Sequence, residues 1–360
     1  MSKITVAEIS GNESLDHRPS LYKLDIEEGS IEKVDLGGTE EDLGVYLDNL
    51  LTDIRSETHK RKFKIGSPTS EFHTLVKEIH KKKGVDPLDE ALAARLLRIE
   101  VATEKRVRNL SRGEGTHLKK GSFLQWTYKE GGDFVYLGVK VDHKEFLDEE
   151  DFQKRIGLAV RERLYKAVRV SFNDEGEVQD VAVVDSGSRI SVYWWHDFLE
   201  LIEEKDDHYN TQAAASEIEK TLNRALKKDY PQDHTSLINS VICRFRTAGS
   251  IRFNDYIDDL LESYDPINDG LRKEIPGLID KLKRLPEKKG FDTHFSVEPS
   301  AVSMRRRKMK LNDFVDIMVE AGLENLSDQI WSEKTQQGKK LVVIDSPEGF
   351  SKFEEKVRKP

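Results

Sequence analysis

The sequence is poor in cysteine and in long apolar runs. Its 360 residues include one cysteine, Cys243, which excludes an intrachain disulfide framework and any CxxC-type zinc site. No run approaches the roughly 18 apolar residues that indicate a membrane span. The opening residues, MSKITVAEIS, lack the apolar core of a signal peptide. We therefore expect a cytoplasmic protein without a membrane partner.

Short catalytic motifs are also missing from the sequence. It contains no P-loop, no GxGxxG after a strand, no GxSxG and no HExxH. A common metal-dependent nuclease core needs an acid two residues before its lysine, but Gly138 stands at that position before Lys140. Asp142, His143 and Glu145 form the nearest carboxylate–histidine group, and capping of a strand and a helix is the simpler interpretation. We assign no catalytic residue, no metal site and no cofactor.

Negative charge exceeds positive charge, and its distribution is uneven. The chain has 58 Lys and Arg against 67 Asp and Glu, a formal net charge of −9. Residues 25–53 hold ten acids and one base, so this segment alone carries −9. The rest of the chain is therefore neutral on balance, with local basic islands. The acidic segment, which includes Glu40, Glu41 and Asp42, leaves open a protein-interaction scaffold that docks a basic partner.

The periodicity of apolar residues predicts an α+β protein. Helical spacing begins at TEEDLGVYLDNLL and recurs in two further helices before residue 110, and extended patterns follow in SFLQWTY, FVYLGVKV, AVRVSF, VQDVAVVD and RISVYWW. We expect N-terminal helices packed on an antiparallel sheet of about five strands, then a helical region and a small C-terminal α+β module. The predicted boundaries are 1–190, 191–286 and 287–360. DEEDFQKRIGL and the segment around Phe314 are predicted as helices, and THFSV and KKLVVID as strands.

Basic islands are the main signal of function. HKRKFK, a basic link between two predicted helices, interleaves cations with Phe63. EKRVRNLSRGEGTHLKKG supplies a basic loop, KRIGLAVRERLYKAVR adds a third island, and SMRRRKMKLND packs five cations into six positions. If SMRRRKMKLND is a strand, its side chains alternate between two faces, so only some of the cations of this island point into solvent. Lysine and arginine neutralise phosphates and release counterions, which gives salt-sensitive, sequence-tolerant binding. The predicted DNA-binding residues are Lys60, Arg61, Lys62, Lys64, Arg106, Arg108, Arg112, Lys119, Lys120, Arg306, Lys308 and Lys310.

Several segments together resemble the bacterial nucleoid-associated protein family often called NdpA. They are TEEDLGVYLDNLL, VDHKEFLDEEDFQKRIGL, the helix-rich middle of the chain, and QIW, KLVVID and SPEGF near its end. The resemblance implies a cytoplasmic protein associated with double-stranded DNA in the nucleoid, with type II topoisomerases as candidate partners. EISGNESLDHRPSLYKLDIEEGS and the loop around Arg112 depart from the family pattern, so the resemblance assigns no individual DNA contact.

The leading prediction is non-enzymatic, largely sequence-independent binding of double-stranded DNA, as a nucleoid-associated protein. Two alternatives stay open at this stage: a divergent metal-dependent nuclease or phage-defence effector, and the interaction scaffold that uses the acidic segment. Double-stranded DNA is the expected partner, a topoisomerase or another protein is a candidate partner, and a homodimer is a candidate assembly.

Overall fold

The chain divides into two compact units, which do not follow chain order. Unit 1 comprises Met1–Asp206, Ser250–Asn254 and Asp292–Ser296, and unit 2 comprises Asp207–Gly249, Asp255–Phe291 and Val297–Pro360. The division differs from the predicted boundaries: unit 1 extends to residue 206 and takes in two short later segments, and residue 286 lies inside a segment of unit 2. The structure is a computed structural model that describes residues 19–36, 41–110, 120–147, 154–158, 164–303, 306–320, 323 and 326–354.

Unit 1 is built on an antiparallel sheet. Its elements are β1 (Ser20–Asp25), β2 (Ser30–Lys33), α1 (Glu41–Ser56), β3 (Arg61–Ile65), α2 (Glu71–Lys82), α3 (Asp89–Leu110), β4 (Gly121–Glu130), β5 (Asp133–Leu147), β6 (Lys154–Leu158), β7 (Tyr165–Phe172), β8 (Val178–Asp185) and β9 (Leu201–Glu203). Among the described residues the sheet has nine strands in the order β2-β1-β4-β5-β7-β8-β3-β9, with β6 paired to β5. The predicted α+β class is confirmed.

Helices cover the two faces of this sheet unequally. On one face, α2 and α3 bury Phe72, Val76, Leu92 and Leu96 against the sheet. On the other face α1 alone contributes Tyr46, Leu50 and Ile54 to the core. Their spacing of four residues places them on one side of the helix, so α1 buries a single stripe. Part of the second face is left open beside this helix.

Four local predictions were wrong, and tertiary pairing explains three of them. Residues 154–158, predicted as helix, form β6 because they pair with His143–Leu147 of β5. HKRKFK, treated as a link, contains β3, which pairs with both β8 and β9. The segment around Phe314 is extended at Asp316–Glu320. RISVYWW, predicted as a strand, ends in a π-helical turn, Tyr193–Phe198, whose Trp194 and Phe198 are fully buried.

Unit 2 combines helices with isolated hairpins. The elements that follow β9 along the chain are α4 (Asp207–Leu226), α5 (Pro231–Arg246), β10 (Gly249–Arg252), α6 (Phe253–Glu262), α7 (Ile275–Lys283), α8 (Leu285–Lys289), β11 (His294–Val297), β12 (Arg306–Lys310), β13 (Asp316–Glu320), α9 (Leu326–Gln329), β14 (Ile330–Lys334), β15 (Lys340–Ile344) and α10 (Pro347–Phe350). Most of β10 and β11 and the first two residues of α6 lie in the segments that belong to unit 1. In this part of the described chain, β12 pairs with β13 and β14 with β15 as separate two-stranded sheets. The predicted strands THFSV and KKLVVID are confirmed as β11 and β15.

Candidate nucleic-acid interface

Strand β3 sorts its cations between the two faces of the sheet. Its burial alternates, with Arg61 and Phe63 buried and Lys62 and Lys64 exposed. Because side chains point to opposite faces at every step of a strand, Lys62 and Lys64 share the sheet face that carries α1. Lys60, just before the strand, is also exposed. The HKRKFK island therefore presents three of its four predicted DNA contacts to solvent.

Arg61 is the exception, and the structure places it in the interior. The residue is 5% exposed. Its Nη2 lies 3.0 Å from Glu203 Oε1 and donates to the backbone oxygen of Lys205 at 3.0 Å, and its Nε lies 3.9 Å from Asp292 Oδ2. A guanidinium enclosed by carboxylates in this way holds β3 against its neighbours. The prediction that Arg61 contacts DNA is corrected accordingly.

The open part of the α1 face forms a groove. The register aligns Lys62 with Ala182 on β8, Ala182 with Arg169 on β7, and Arg169 with Leu137 on β5. Alanine and valine side chains cannot fill the space between the end of α1 and β3, and a cavity of about 460 Å³ results. Its floor consists of Leu137, Ala167, Ala182 and Val184. We call this cavity and the adjoining face of β3 the β3 groove.

Cations outnumber acids in the β3 groove. Arg55, Lys60, Lys129 and Arg169 line it together with the acids Glu57, Glu130 and Asp180. The exposed side chains of Lys62 and Lys64 on the same strand face add two cations, and Glu204, whose charge acts on Lys62, adds one acid, so cations still outnumber acids. Basic residues from α1, β3, β4 and β7 thus converge within a chain whose formal net charge is −9.

Two cations of the groove, Lys62 and Arg169, are held by partly exposed ion pairs. Lys62 Nζ lies 2.9 Å from Asp180 Oδ1, and that hydrogen bond raises the pKa of the lysine. Arg169 pairs with Glu130, and its Nη1 lies 3.6 Å from the second Asp180 oxygen. The side chains of Lys62, Glu130, Arg169 and Asp180, which we call the groove quartet, are 31–52% exposed. Such pairs contribute about 0–1 kcal/mol each, so a ligand displaces them at low cost.

Two further contacts shape the wall of the groove beside α1. The Arg55 guanidinium carbon lies 5.0 Å from the centroid of the Tyr128 ring, a cation–π contact that orients the arginine at the rim. Burial raises the pKa of Glu57, but hydrogen bonds from the ring and the backbone N–H of His59 outweigh that effect and hold the pKa at about 2. The Glu57 carboxylate is therefore charged and already occupied by hydrogen bonds.

The other predicted DNA contacts do not line the β3 groove. Arg106 pairs with Asp197 at 2.9 Å and Arg108 with Glu104 at 2.8 Å, both from α3. Lys120 Nζ lies 2.7 Å from an oxygen of Asp25, one of the acids of the 25–53 segment. Arg112 and Lys119 lie outside the described residues. These islands are separate clusters on unit 1.

The SMRRRKMKLND island belongs to unit 2. Lys308 and Lys310 are exposed and Met309 is half-buried between them, which confirms the predicted alternation for these three side chains. Lys308 lies 2.9 Å from Asp316, and Lys310 lies 2.9 Å from Asp313. The backbone of Arg306 is in β12, but its side chain lies outside the described part of the chain. We therefore centre the candidate interface on the β3 groove alone.

Lysine side chains contact Asp142, the first acid of the carboxylate–histidine group considered for catalysis. Lys140 Nζ lies 2.7 Å from Glu100 Oε1 and 2.9 Å from Asp142 Oδ1, so an ammonium stands where a metal would bridge two carboxylates. His143 Nε2 lies 2.9 Å from Ser122 Oγ. The side chain of Glu145 lies outside the described residues, and among those described no three His, Cys, Asp or Glu side chains cluster as metal ligands.

Glu100, Lys140, Asp142 and Lys166, which we call the buried quartet, form an ionic cluster that the sequence interpretation missed. Lys166 Nζ lies 3.6 Å from Asp142, and Lys140 and Glu100 have no exposed surface. Burial alone would lower the pKa of Lys140, but the two carboxylates more than offset it and the pKa is raised. Burial raises the pKa of Glu100, which also accepts a hydrogen bond of 3.2 Å from the Tyr193 hydroxyl.

The sequence contains signals for this cluster. Lys140 interrupts the apolar run FVYLGVKV, and Glu100 continues the four-residue spacing of Leu92 and Leu96 on the buried side of α3. A charge at an interior position implies a buried partner, because an unpaired buried charge is strongly unfavourable. These two signals together would have predicted an interior ion pair.

Comparison with known proteins gives no assignment. A scan against protein-family models finds no match, and a search of curated proteins finds none either. The NdpA resemblance therefore stays a prediction. Within the described residues, no helix has both the length and the apolar character needed to cross a bilayer.

Proposed function

We propose that the protein binds double-stranded DNA without catalysing a reaction on it, largely independently of sequence, through the β3 groove. The observation that carries the proposal is the convergence of Arg55, Lys60, Lys129 and Arg169 around one open cavity, with Lys62 and Lys64 beside it. A local excess of cations in a chain of net charge −9 is the pattern expected of a surface that binds an anionic polymer.

The chemistry of the groove favours contacts with the phosphate backbone. Exposed lysines behave as point charges and approach a phosphate from many directions. A phosphate that approaches Lys62 and Arg169 competes with Asp180, which both cations contact. Because exposed pairs are weak, the exchange of a carboxylate for a phosphate costs little, while the release of counterions from DNA supplies the driving force.

The same geometry supports sequence independence. Phosphate contacts position a protein on DNA, whereas sequence is read by hydrogen bonds to base edges. The groove presents lysines and arginines around an aliphatic floor of Leu137, Ala167, Ala182 and Val184. An aliphatic floor offers no donor or acceptor for a base edge. We further propose, on the same basis, a role among nucleoid-associated proteins.

A salt titration with matched variants tests the proposal. The groove variant carries Lys60→Gln, Lys62→Gln and Lys64→Gln. The control carries Lys77→Gln, Lys81→Gln and Lys82→Gln on α2, which removes the same charge elsewhere on unit 1. Binding of a short duplex is measured by fluorescence anisotropy from low to moderate salt, and by mobility shift on duplexes of unrelated sequence.

We expect the groove variant to bind more weakly and with a shallower salt dependence. Loss of three phosphate contacts lowers the slope of log K against log salt by about 2.7, since each contact contributes roughly 0.9. The control variant retains the slope of the wild-type protein. Absence of binding at low salt, binding that does not respond to salt, or an equal loss in both variants would each contradict the proposal.

A further inference from the structure

Exposed apolar side chains concentrate near the end of the described chain. Fourteen large hydrophobic residues among those described are exposed, and nine of them lie between Leu311 and Phe353. Three belong to the hairpin of β14 and β15, namely Trp331, Val342 and Ile344, at 40%, 46% and 46% exposure. By the register, Val342 and Ile344 share one face of the hairpin and Trp331 lies on the other, so apolar surface is exposed on both faces, which indicates an interaction site.

The β14–β15 hairpin is incomplete as a sheet. Its two strands pair only with each other among the described residues, in a register that sets Ile330 opposite Ile344 and Ser332 opposite Val342. A single two-stranded hairpin is at best marginally stable in water, and three or more strands with an apolar face are needed for independent stability. Additional strands would therefore increase the stability of the hairpin.

Among the described residues, no strand pairs with the outer edge of β15. Its residues are Lys340, Leu341, Val342, Val343 and Ile344, so its only charge stands at its first position. Natural edge strands usually avoid association through charges, prolines or bulges along the edge. The four aliphatic residues of β15 carry none of these, and their backbone donors and acceptors are arranged for an antiparallel partner.

We propose that β15 pairs with β15 of a second copy of the chain, antiparallel about a two-fold axis through Val342. The two hairpins then form one four-stranded sheet. In this register Val342 faces Val342 of the partner subunit, Leu341 faces Val343 of the partner subunit, and Lys340 faces Ile344 of the partner subunit. Such an interface is isologous, since the same surface is used by both copies.

The absence of like-charge contacts favours self-pairing of β15 over self-pairing of either strand of the other hairpin. Self-pairing of β12 about Lys308 would place that lysine against its own copy and Arg306 against the copy of Lys310. Self-pairing of β13 about Met318 would oppose Asp316 and Glu320. Like charges directly opposite each other destabilise a strand pair. In the β15 pair no two charges meet, because Lys340 lies across from an isoleucine.

Burial of aliphatic surface stabilises the β15 pair. Lys340, Val342 and Ile344 lie on one face of the strand by alternation, and all three are exposed. In the four-stranded sheet the valine and isoleucine side chains of both copies form a continuous stripe. The stem of Lys340 covers Ile344 of the partner subunit while its ammonium group remains in water.

Sedimentation or light scattering of the full chain without DNA, over a concentration series, tests this interface. The test variant is Val342→Lys, which sets two cations face to face at the two-fold axis. The control is Val315→Lys, which adds the same charge at a valine of equal exposure, 45% against 46%, in the neighbouring hairpin. We expect a wild-type dimer, a dissociation constant raised about 100-fold by Val342→Lys, and no change in the control.

Mixing two variants separates lost pairing from lost folding. Val342→Lys and Val342→Glu are each expected to be monomeric with unchanged circular dichroism, and an equimolar mixture is expected to form a heterodimer because opposite charges then meet. A wild-type protein that is monomeric at every concentration, a dimer that tolerates Val342→Lys, or a mixture that stays monomeric would overturn the proposal. DNA is absent throughout, so the result is independent of the proposed function.

Discussion

Two ionic quartets occupy opposite faces of one sheet. The buried quartet, on the side of α2 and α3, and the groove quartet, on the side of α1, each combine two cations with two carboxylates. Their side chains differ in exposure, 0–14% in the first and 31–52% in the second. The same residue types thus stabilise the interior in the buried quartet and form a candidate binding surface in the groove quartet.

Exposure to solvent explains why the two quartets differ in their roles. In the interior each charge depends on its protein partners, because desolvation is costly and an ion left alone there is strongly unfavourable. At the surface water and salt screen the pairs, and the ions exchange partners freely. Of the two quartets, only the groove quartet is therefore available to a ligand.

The largest expected effect comes from breaking the buried quartet. Lys140→Met removes the ammonium between Glu100 and Asp142 and leaves two carboxylates in the interior. We expect the free energy of unfolding to fall by about 3–5 kcal/mol in urea denaturation. The matched change Lys62→Met in the groove quartet should cost less than about 1 kcal/mol.

The double variant Lys140→Met with Glu100→Gln tests the cause of that loss. Glu100→Gln removes a carboxylate that has lost its lysine partner, so part of the stability should be recovered because the ion pair is replaced by neutral side chains. Equal losses in the single and double variants would contradict the ionic explanation, as would a loss below 1 kcal/mol for Lys140→Met.

An intermediate effect is expected at Glu57, which lines the groove but is only 15% exposed. Its folded-state pKa of about 2 lies below the unfolded value of about 4.3. The carboxylate therefore stabilises the fold above the unfolded pKa, and that stability is lost as the pH falls towards 2. Glu57→Gln should lower the free energy of unfolding by roughly 3 kcal/mol at pH 7.

The pH dependence distinguishes this effect from a general packing loss. The difference between wild type and Glu57→Gln should shrink steadily between about pH 5 and pH 2, as measured by thermal or urea unfolding at each pH. A difference that stays constant over this range would assign the loss to packing.

The smallest effect is expected from Asp180→Asn, which removes an acid from the groove quartet. Stability should change by less than about 1 kcal/mol, whereas duplex affinity at low salt should rise by up to about fivefold, because Lys62 and Arg169 lose their shared competitor. Asp258→Asn is the control, since Asp258 pairs with Lys283 at 2.6 Å and its side chain is 31% exposed, against 32% for Asp180. Weaker binding by Asp180→Asn would argue against the groove.

Local sequence patterns predicted individual helices and strands better than they predicted which elements and side chains contact each other in the fold. The helical spacing of α1 and the apolar alternation of β4 predicted both elements, because each pattern is complete within its own segment. Strand β3 was missed, since its cations resemble a solvated link. Arg61 is buried only because Glu203 and Asp292 reach it, and these lie more than a hundred residues further along the chain.

The same limit applies to the candidate site. Lys60, Lys62 and Lys64 were predicted from one dense island, but Arg169 and Lys129 join them only through the register of β3, β8, β7 and β5. The buried quartet depends on a helix and a strand 40 residues apart at Glu100 and Lys140. No spacing rule connects such residues before the sheet order is known.

The late segment Asp292–Ser296 has a consequence for the order of folding during synthesis. Asp292 accepts a hydrogen bond from the backbone N–H of Lys62 at 3.0 Å, and the Thr293 hydroxyl accepts one from that of Lys60 at 2.8 Å. Unit 1 is otherwise almost complete at Asp206. At roughly 5–20 residues per second, a ribosome needs about 5–20 s to add the following 90 residues. Throughout that interval the beginning of β3 lacks these bonds, and chaperones have access to this part of the nascent sheet.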